Sequence, residues 1–479
     1  MSVAVSDNRP FCACSTPPGT SGIAMIRVSG EGAGKILDRC VKIIRTSSDA
    51  TSVSQMPGYT SAYADFFDPA NGNSIDKIII TRYVAPHSYT GSEMADISCH
   101  GGSAVKQEIL SVLTDNGMRY ADPGEFTKTA FAMGKLDINE AEAVMNVINA
   151  ESSAALRAAN SQLNGRLSSR LAEAEERLYR AMALIEMIVE FPEHDDTPEN
   201  DDEVVRLTRQ ARDITASLRD SYAKGRILTE SMRVVLCGMP NSGKSSLLNA
   251  LAGYDRAIVT DIPGTTRDTL ELLTQINGIP VTLIDTAGIR QTGDKVEAIG
   301  VERARKACDE ADIVVYLAAC DENEEEILRQ MRELYSGKDN SNVTLVFSKS
   351  DLGINPGSER IKAEAKSLGI TSVAEVSTDG DGITGAGTEP VRQIITEFYE
   401  KAGGSNSSEI IVLAKRHSDR LASATERLDM ALATAEGGLG VDIMSSVIRA
   451  SLDDIGKITG KTVSAQLADT IFAGFCIGK

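Results

Sequence analysis

The chain has no tryptophan, no Cys-x-x-Cys pair and no apolar run of membrane-spanning length. Its opening residues are not expected to act as a secretory leader. The missing tryptophan excludes no function. The other absences exclude a thioredoxin-type motif, a cysteine-pair zinc site and a membrane-spanning helix. The eight cysteines are therefore expected in a reducing compartment, and the cytoplasm is the simplest home. Cys12 and Cys14, separated by one residue, read as structural. A mitochondrial address is not supported, because the first thirty residues are neither Arg-rich nor amphipathic. Positive charge is scarce too: 49 Lys plus Arg stand against 68 Asp plus Glu, a net charge of −19. No basic block offsets this. Phosphate contacts come from clustered Lys and Arg, so the chain makes a poor general nucleic-acid binder. Any RNA substrate would be held with help from a partner.

At 479 residues the chain is too long for one ordinary core, and length suggests about three domains. Residues 1–134 read as a compact α/β block, with Gly22–Val28 and Ile78–Val84 as strands. Its loops are rich in Gly and polar residues: Ser15-Thr-Pro-Pro-Gly19, Ser88-Tyr-Thr-Gly91, Cys99-His-Gly-Gly102 and Asp122-Pro-Gly-Glu-Phe-Thr127. Such loops on a rigid scaffold commonly carry binding, although turn chemistry alone explains each one. His100 reads as a loop histidine satisfied by backbone, with a base role as the alternative. From about 135 the pattern becomes amphipathic helix. Ala141, Val144, Met145 and Ile148 share a face, as do Leu171, Ala174, Leu178, Ile185 and Val189. Phe191 to Asp202, with two prolines and an acidic run, reads as a solvated turn. Helix resumes to about 228. Gly403 to Ser408 reads as a linker, and Leu421, Ala424, Leu428, Ala431 and Leu432 restore the helical stripe. The economical picture is one helical domain, split in sequence by an inserted domain.

That inserted stretch carries the strongest chemistry. Gly238, Gly243, Lys244 and Ser245 match Gly-x-x-x-x-Gly-Lys-Ser, between the apolar run 233–237 and the periodic run 247–251. Glycine at both ends lets backbone N–H groups curl inward on phosphate, and the next helix adds its N-terminal dipole. Lys244 would reach the β and γ phosphates, and the Ser245 hydroxyl would sit on Mg²⁺. Downstream, Asp261 to Asp268 is placed like a first switch loop, with Thr266 completing the Mg²⁺ shell. Val281–Ile284 reads as a strand ending in Asp285-Thr-Ala-Gly288, with Asp285 toward Mg²⁺ through water and Gly288 N–H toward the γ-phosphate. Loss of that phosphate would release both loops. Ile289 stands where Ras-like proteins carry a water-orienting Gln. Arg290, Gln291, Asp294 and Glu297 are the polar residues that could take that part. Asn241 either holds a monovalent cation against the phosphates or caps its own turn. The base-reading strand 343–347 ends in Ser348-Lys349-Ser350-Asp351, where Asn-Lys-x-Asp is usual. Asp351 keeps the guanine-accepting carboxylate and Lys349 the covering stem; Ser348 predicts weaker nucleotide holding. Val376-Ser377-Thr378 replaces the customary Ser-Ala. The chain ends Phe-Cys476-Ile-Gly-Lys479. The thiol is either a reactive group on a flexible tail or a buried small residue.

Together these residues resemble the MnmE (TrmE) family of tRNA-modifying GTPases over essentially the whole chain. Ser-Thr-Pro-Pro-Gly19, Ser-Tyr-Thr-Gly91, His-Gly-Gly102, Pro-Gly-Glu-Phe-Thr127, Gly-Lys-Leu-Asp137 and the terminal Cys-Ile-Gly-Lys479 carry the likeness. So do the phosphate loop, Gly-Thr-Thr-Arg-Asp268, Asp-Thr-Ala-Gly288 and Val-Glu-Ala-Ile-Gly-Val-Glu-Arg-Ala304, which related GTPases share.

The resemblance implies a multidomain α/β protein. Its parts are an N-terminal α/β folate-binding and dimerisation domain (1–134), a discontinuous helical domain (135–229 and 403–479) and an inserted Ras-like P-loop G domain with a mostly parallel sheet (230–402). It implies a homodimer that acts on the tRNA wobble uridine with an FAD-dependent MnmG (GidA)-type flavoprotein, in a heterotetramer or larger complex. The product would be an aminomethyl-type group at carbon 5, with 5-formyl- or methylene-tetrahydrofolate as one-carbon source. GTP contacts are implied for Asn241, Ser242, Gly243, Lys244, Ser245, Ser246, Thr260, Thr265, Thr266, Asp285, Gly288, Lys349, Asp351 and Ser377. Ser245 and Thr266 would hold Mg²⁺. Asn241, Thr260, Ile262 and Thr265 match a K⁺ site, the ion standing in for an arginine finger. Glu297 matches the residue that orients water indirectly, with Arg290 in support and Cys476 as the terminal cysteine of the modification. Arg27, Asp96, Lys135 and Lys479 match folate contacts. Asp96 is Glu in most of the family, and Thr129 replaces the usual Arg.

Two rival readings remain. A ribosome-assembly GTPase of the Era or EngA kind shares the G-domain features, but it carries a basic RNA-binding module that this sequence lacks. A nucleotide-gated scaffold would only time its partner's chemistry.

Overall fold

The computed structural model describes residues 9–190, 198–254, 270–285, 305–377, 386–402, 409–437, 443–462 and 465–478. By compactness the chain divides into two units. One holds residues 1–148, 161–216 and 419–479; the other holds 149–160 and 217–418.

The first unit opens with strands β1 (Phe11–Cys14), β2 (Ser21–Ser29), β3 (Val41–Thr46), β4 (Thr60–Phe67), β5 (Ser74–Tyr83), β6 (Met94–Gly101) and β7 (Arg119–Tyr120). They form one sheet in the order β3-β4-β5-β6-β2-β1-β7, antiparallel throughout except for β1 with β7. Helices α1 (Ala33–Cys40) and α2 (Ser103–Asp115) supply the other side of its core. Strand alternation sorts the residues. Ile26, Val28, Ile80 and Ile97 are buried with Leu37, Ile109 and Leu113. The intervening residues Arg27, Thr81 and Asp96, paired in register, fall on the opposite face. A hydrophobic face on one side only is what an antiparallel sheet of this kind permits.

Helices α3 (Glu125–Ala132), α4 (Ile138–Ile148), α5 (Ser153–Leu163), α6 (Arg166–Glu190) and α7 (Pro198–Thr229) follow. Leu167, Leu171, Ala174, Leu178, Ala181 and Ile185 bury one stripe of α6. Truncating one such leucine to alanine costs about 2–5 kcal/mol. Val189, expected on that stripe, is 59% exposed; it sits in the final turn, past the last buried residue. Of the segment 191–202, expected as a turn, residues 191–197 lie outside the described residues and 198–202 open α7. Proline needs no N–H there, and the Asp201 and Asp202 carboxylates suit the positive end of the dipole. Cys99, His100 and Gly101, expected as loop, finish β6, and the loop expected at 122–127 gives way to α3 at Glu125.

The second unit carries a six-stranded sheet, β13-β12-β11-β8-β10-β9, with β8 (Met232–Gly238), β9 (Leu270–Ile276), β10 (Ile279–Asp285), β11 (Ile313–Ala319), β12 (Val343–Ser348) and β13 (Ser372–Glu375). Only the β9–β10 hairpin is antiparallel, turned by Asn277-Gly278 with φ of 53° and 75°. Helices α8 (Lys244–Tyr254), α9 (Glu324–Tyr335), α10 (Ser358–Ser367) and α11 (Glu389–Ala402) accompany it. The strands read as unbroken apolar runs because a parallel sheet is covered on both faces. After β8 the chain takes up one neighbour in β10 and the other in β11. A switch of that kind opens a crevice at the carboxyl ends of the strands.

Residues 419–479 return to the first unit with α13 (Met444–Thr459), α14 (Ala465–Ala473) and most of α12 (Lys415–Glu436). Leu421, Ala424, Leu428, Ala431 and Leu432 are all buried. The chain is thus a multidomain α/β protein, with one sheet-and-helix unit completed by residues far apart in sequence. The expected linker at 403–408 lies outside the described residues.

Candidate functional site

The crevice is lined by the end of β8. Gly238 has φ 138° and Gly243 φ 90°. A Cβ on Gly238 would lie 2.4 Å from the Leu317 carbonyl oxygen, so glycine is required there. Asn241, between them, also sits at positive φ, 66°. Lys244 opens α8 and is 5% exposed. Its ammonium donates to the carbonyls of Gly238, at 3.0 Å, and Met239, and to Ser242 Oγ at 3.3 Å. The loop is thus wrapped around its own lysine. Ser245 Oγ donates to Asp285 Oδ2 at 2.9 Å, and Asp285 is 2% exposed at the end of β10. A buried carboxylate and an adjacent hydroxyl give the hard oxygen donors that Mg²⁺ requires. Ser242 is buried beneath the loop, while Asn241 and Ser246 face solvent.

On the base-reading side, Ser348 ends β12, buried, and donates to the Ser242 carbonyl at 2.6 Å. Lys349, at φ 57°, reaches both oxygens of Asp321 at 2.9 and 2.8 Å. That bond holds the Asp321 carboxyl below its ordinary range. Asp351 accepts from Ser377 Oγ at 3.0 Å. Asn355 Nδ2 ties the Ala319 and Glu322 carbonyls together at 2.9 and 3.2 Å. Glu322 Oε2 accepts from the Ala319 N–H at 3.0 Å, while Oε1 is buried with no hydrogen-bond partner among the described residues. Burial raises the pKa of Glu322, and the nearby Lys244 charge opposes that rise.

A second site lies on the open face of the first sheet. Arg27 Nε and Nη2 donate to the two oxygens of Asp96 at 2.8 and 3.0 Å. Burial opposes the Arg27 charge, but the Asp96 bond prevails and raises its pKa. The guanidinium carbon stands 5.7 Å from the Tyr89 ring and 5.9 Å from the Phe126 ring. Tyr83 Oη reaches Asp96 at 3.5 Å, and Tyr89 Oη pairs with Thr127 Oγ1 at 2.9 Å. Burial, then the Asp96 carboxylate, raise the Tyr83 phenol above its ordinary value; burial does the same for Tyr89. Arg27, Asp96, Tyr83 and Tyr89 line a cavity of about 570 Å³ with Tyr59, Leu136, Val144 and Leu163. It joins a planar charge-assisted pair to aromatic walls, which suits a flat heteroaromatic ring with a donor–acceptor edge. Lys135 is exposed beside it and donates to the Pro86 carbonyl at 3.0 Å.

The C-terminal tail matches neither of the two expectations for Cys476, a thiol on a flexible tail or a buried small residue. Ser15 Oγ donates to the Gly478 carbonyl at 3.0 Å, and the Gly124 N–H to the Cys476 carbonyl at 3.4 Å. Phe472 and Phe475 pack with Ile138 and Phe131. The Cys476 side chain remains exposed on this docked backbone. Thr129, buried, bonds back to the Glu125 carbonyl at 2.8 Å and borders a cavity of about 250 Å³.

Comparison with known proteins bears on both sites. The model described as "GTP-binding protein TrmE N-terminus" matches residues 10–135, and that described as "MnmE helical domain" matches residues 138–476. The tRNA modification GTPase MnmE of Acetivibrio thermocellus is 36% identical over 98% of this chain and 99% of its own. That of Caldicellulosiruptor saccharolyticus is 37% identical over 98% and 99%. The chain belongs to the MnmE family. Among solved structures it is similar to the G domain of the T. maritima FeoB iron transporter, with 28% identity over 35% of this chain and 99% of that one. The TM-score is 0.26.

Against the MnmE expectations, the structure brings together Lys244, Ser245 and Asp285, and separately Arg27 and Asp96. It does not bring Lys135 into the cavity lining. Thr260, Ile262, Thr265, Thr266, Gly288, Arg290, Glu297 and Lys479 lie outside the described residues. Sequence reasoning passed over Asp321, Glu322 and Asn355, and the tyrosines Tyr59 and Tyr83. The acidic pair after β11 was the available signal for the first group. Nothing local marked the tyrosines. Among the described residues no helix is long and apolar enough to cross a membrane.

Proposed function

We propose that this MnmE-family chain is a potassium-dependent GTP hydrolase of the cytoplasm. With an FAD-dependent MnmG-type flavoprotein, it would add an aminomethyl or carboxymethylaminomethyl group at carbon 5 of the tRNA wobble uridine. One observation carries the nucleotide half: Lys244 held inside its own loop, beside the Ser245–Asp285 bond, at the switch of a parallel sheet. When GTP binds, Lys244 exchanges backbone carbonyls for phosphate oxygens, and the loop N–H groups face the same charge. Ser245 and Thr266 would hold Mg²⁺, which supplies charge neutralisation at the phosphates. Asn241, solvent-facing at positive φ, fits a K⁺ ligand shared with Thr260, Ile262 and Thr265. Glu297 would orient the attacking water, with Arg290 in support.

The Arg27–Asp96 cavity would take a reduced folate, 5-formyl- or methylene-tetrahydrofolate, with Lys135 and Lys479 at its rim. Ile23, Tyr63 and Ile79 stand exposed on the sheet near this pair. Such a face suits a homodimer. The boundaries 1–134, 135–229, 230–402 and 403–479 belong to the same proposal. Because the chain is acidic, its tRNA would be held mainly through the complex.

Nucleoside mass spectrometry of bulk tRNA tests this reading, in cells lacking the gene and in cells given back wild type, Glu297→Ala or Cys476→Ser. Aminomethyl-type uridines should vanish and return only with the wild type. Unchanged wobble uridines after deletion would overturn the tRNA assignment and point to ribosome assembly.

A further inference from the structure

Cys237 is the penultimate residue of β8, directly before Gly238, whose carbonyl accepts from Lys244. Its sulfur lies 3.0 Å from that of Cys308, which belongs to the helical stretch 305–309. Two sulfurs at that separation are inside van der Waals contact, and about 1 Å of approach makes a covalent bond. The surroundings restrict any other response. Cys237 sits in a close-packed core with Val235, Tyr316 and Tyr335, and Cys308 packs at its edge. Tyr335, buried below the pair, has its phenol pKa pushed well up, by burial first and then by the two sulfurs. Cys308 is only partly buried and borders a cavity of about 150 Å³ with Arg305, Lys338 and Asn342. A small oxidant can therefore reach one sulfur while the other waits behind it.

We propose that Cys237 and Cys308 form a reversible disulfide, made by hydrogen peroxide or another small hydroperoxide, that slows nucleotide turnover. This inference rests on the GTPase reading above. In the first step the Cys308 thiolate attacks a peroxide oxygen. The O–O bond breaks, water leaves and a sulfenic acid forms. The Cys237 sulfur then attacks that sulfur, the S–O bond breaks and a second water leaves. Two thiols and one hydrogen peroxide become one disulfide and two waters, the peroxide taking both electrons. The bond ties the end of β8, one residue before Gly238, to the helical stretch 305–309, while Lys244 must leave the Gly238 carbonyl when phosphate binds. A phosphate loop that must rearrange in each turnover is then anchored at its strand.

The test uses the full-length protein, reduced and then titrated with hydrogen peroxide. Thiols are blocked, non-reduced peptides are analysed by mass spectrometry, and phosphate release from GTP is measured on the same samples. The expected result is a Cys237–Cys308 peptide pair that accumulates as GTP hydrolysis falls about tenfold. Dithiothreitol should reverse both. Cys308→Ser and Cys308→Ala should keep basal hydrolysis and lose the oxidant sensitivity. Absence of that peptide pair, or full hydrolysis with the pair formed, overturns the proposal. The reduced arm is read first: a reduced protein without GTP hydrolysis overturns the GTPase reading instead.

Discussion

The Ser348 hydroxyl donates to the carbonyl of Ser242 at 2.6 Å, joining the base-reading strand to the phosphate loop. Both residues are buried, so that carbonyl has no water to fall back on. Serine at this position is therefore a brace between two halves of one site.

The first prediction follows from that brace. Ser348→Ala leaves a buried carbonyl unpaired, at a cost of about 1–3 kcal/mol. GDP and GTP affinity should fall about tenfold, as read by fluorescent-nucleotide titration. Ser348→Asn keeps a donor and adds a second amide hydrogen and an acceptor. Its affinity should rise above wild type; equal affinity would show that serine weakens nothing.

Glu322 gives a pH prediction. Burial raises its folded-state pKa above the unfolded value, so the protonated form is the one the fold favours. Stability linked to this group is then present at low pH and is lost as pH rises through the unfolded and then the raised value. Glu322→Gln keeps an acceptor for the Ala319 N–H and removes the charge. Thermal scans should show the variant melting higher than wild type at neutral pH, with the difference closing in acid. A gap that widens in acid would contradict the sign.

Arg27 and Asp96 form a paired charge on the sheet's open face, with Asp96 only 7% exposed. Removing one partner strands the other, at a cost of about 3–5 kcal/mol for a fully buried pair. Arg27→Ala should abolish calorimetric binding of 5-formyl-tetrahydrofolate and lower the melting temperature, while GTP hydrolysis persists. Retained folate binding would remove Arg27 from the site.

Much of this was legible beforehand, for physical reasons that the residues make plain. The phosphate loop is local: Gly238, Gly243 and Lys244 do their work within seven residues, so the motif announces itself. The register of Arg27 opposite Asp96 was not readable, because strand pairing joins residues 69 apart and the alternation of each strand fixes only its faces. The MnmE resemblance supplied the two residues as folate contacts, but not their bond to each other. Asp321 and Asn355 were invisible for a related reason. Their roles exist only where two loops meet, through Lys349 and the Ala319 carbonyl. His100 was misread as a loop residue since His-Gly-Gly looks like a turn; the strand runs on to Gly101, and Asp76 takes the ring at 2.7 Å. The tail showed two phenylalanines but not what they would pack on.

That tail yields the last prediction. Gly124 caps α3 at φ 70°, a conformation that strains any residue with a Cβ. The space is closed as well: a Cβ there would stand 2.6 Å from the Phe472 carbonyl oxygen and 2.9 Å from Phe475 Cβ. Backbone cannot yield as a flexible side-chain tip would, so Gly124→Ala must push α14 and the terminal residues away. The Gly124 N–H bond to the Cys476 carbonyl goes with them. Hydrogen exchange over 472–478 should accelerate in the variant while exchange across β8 and α8 stays as in wild type. GTP hydrolysis should persist and aminomethyl-type uridines should be lost in complemented cells. If exchange at the tail rises and the uridines persist, the docked position of Cys476 plays no part in modification. The thiol would then be a bystander at the end of the chain.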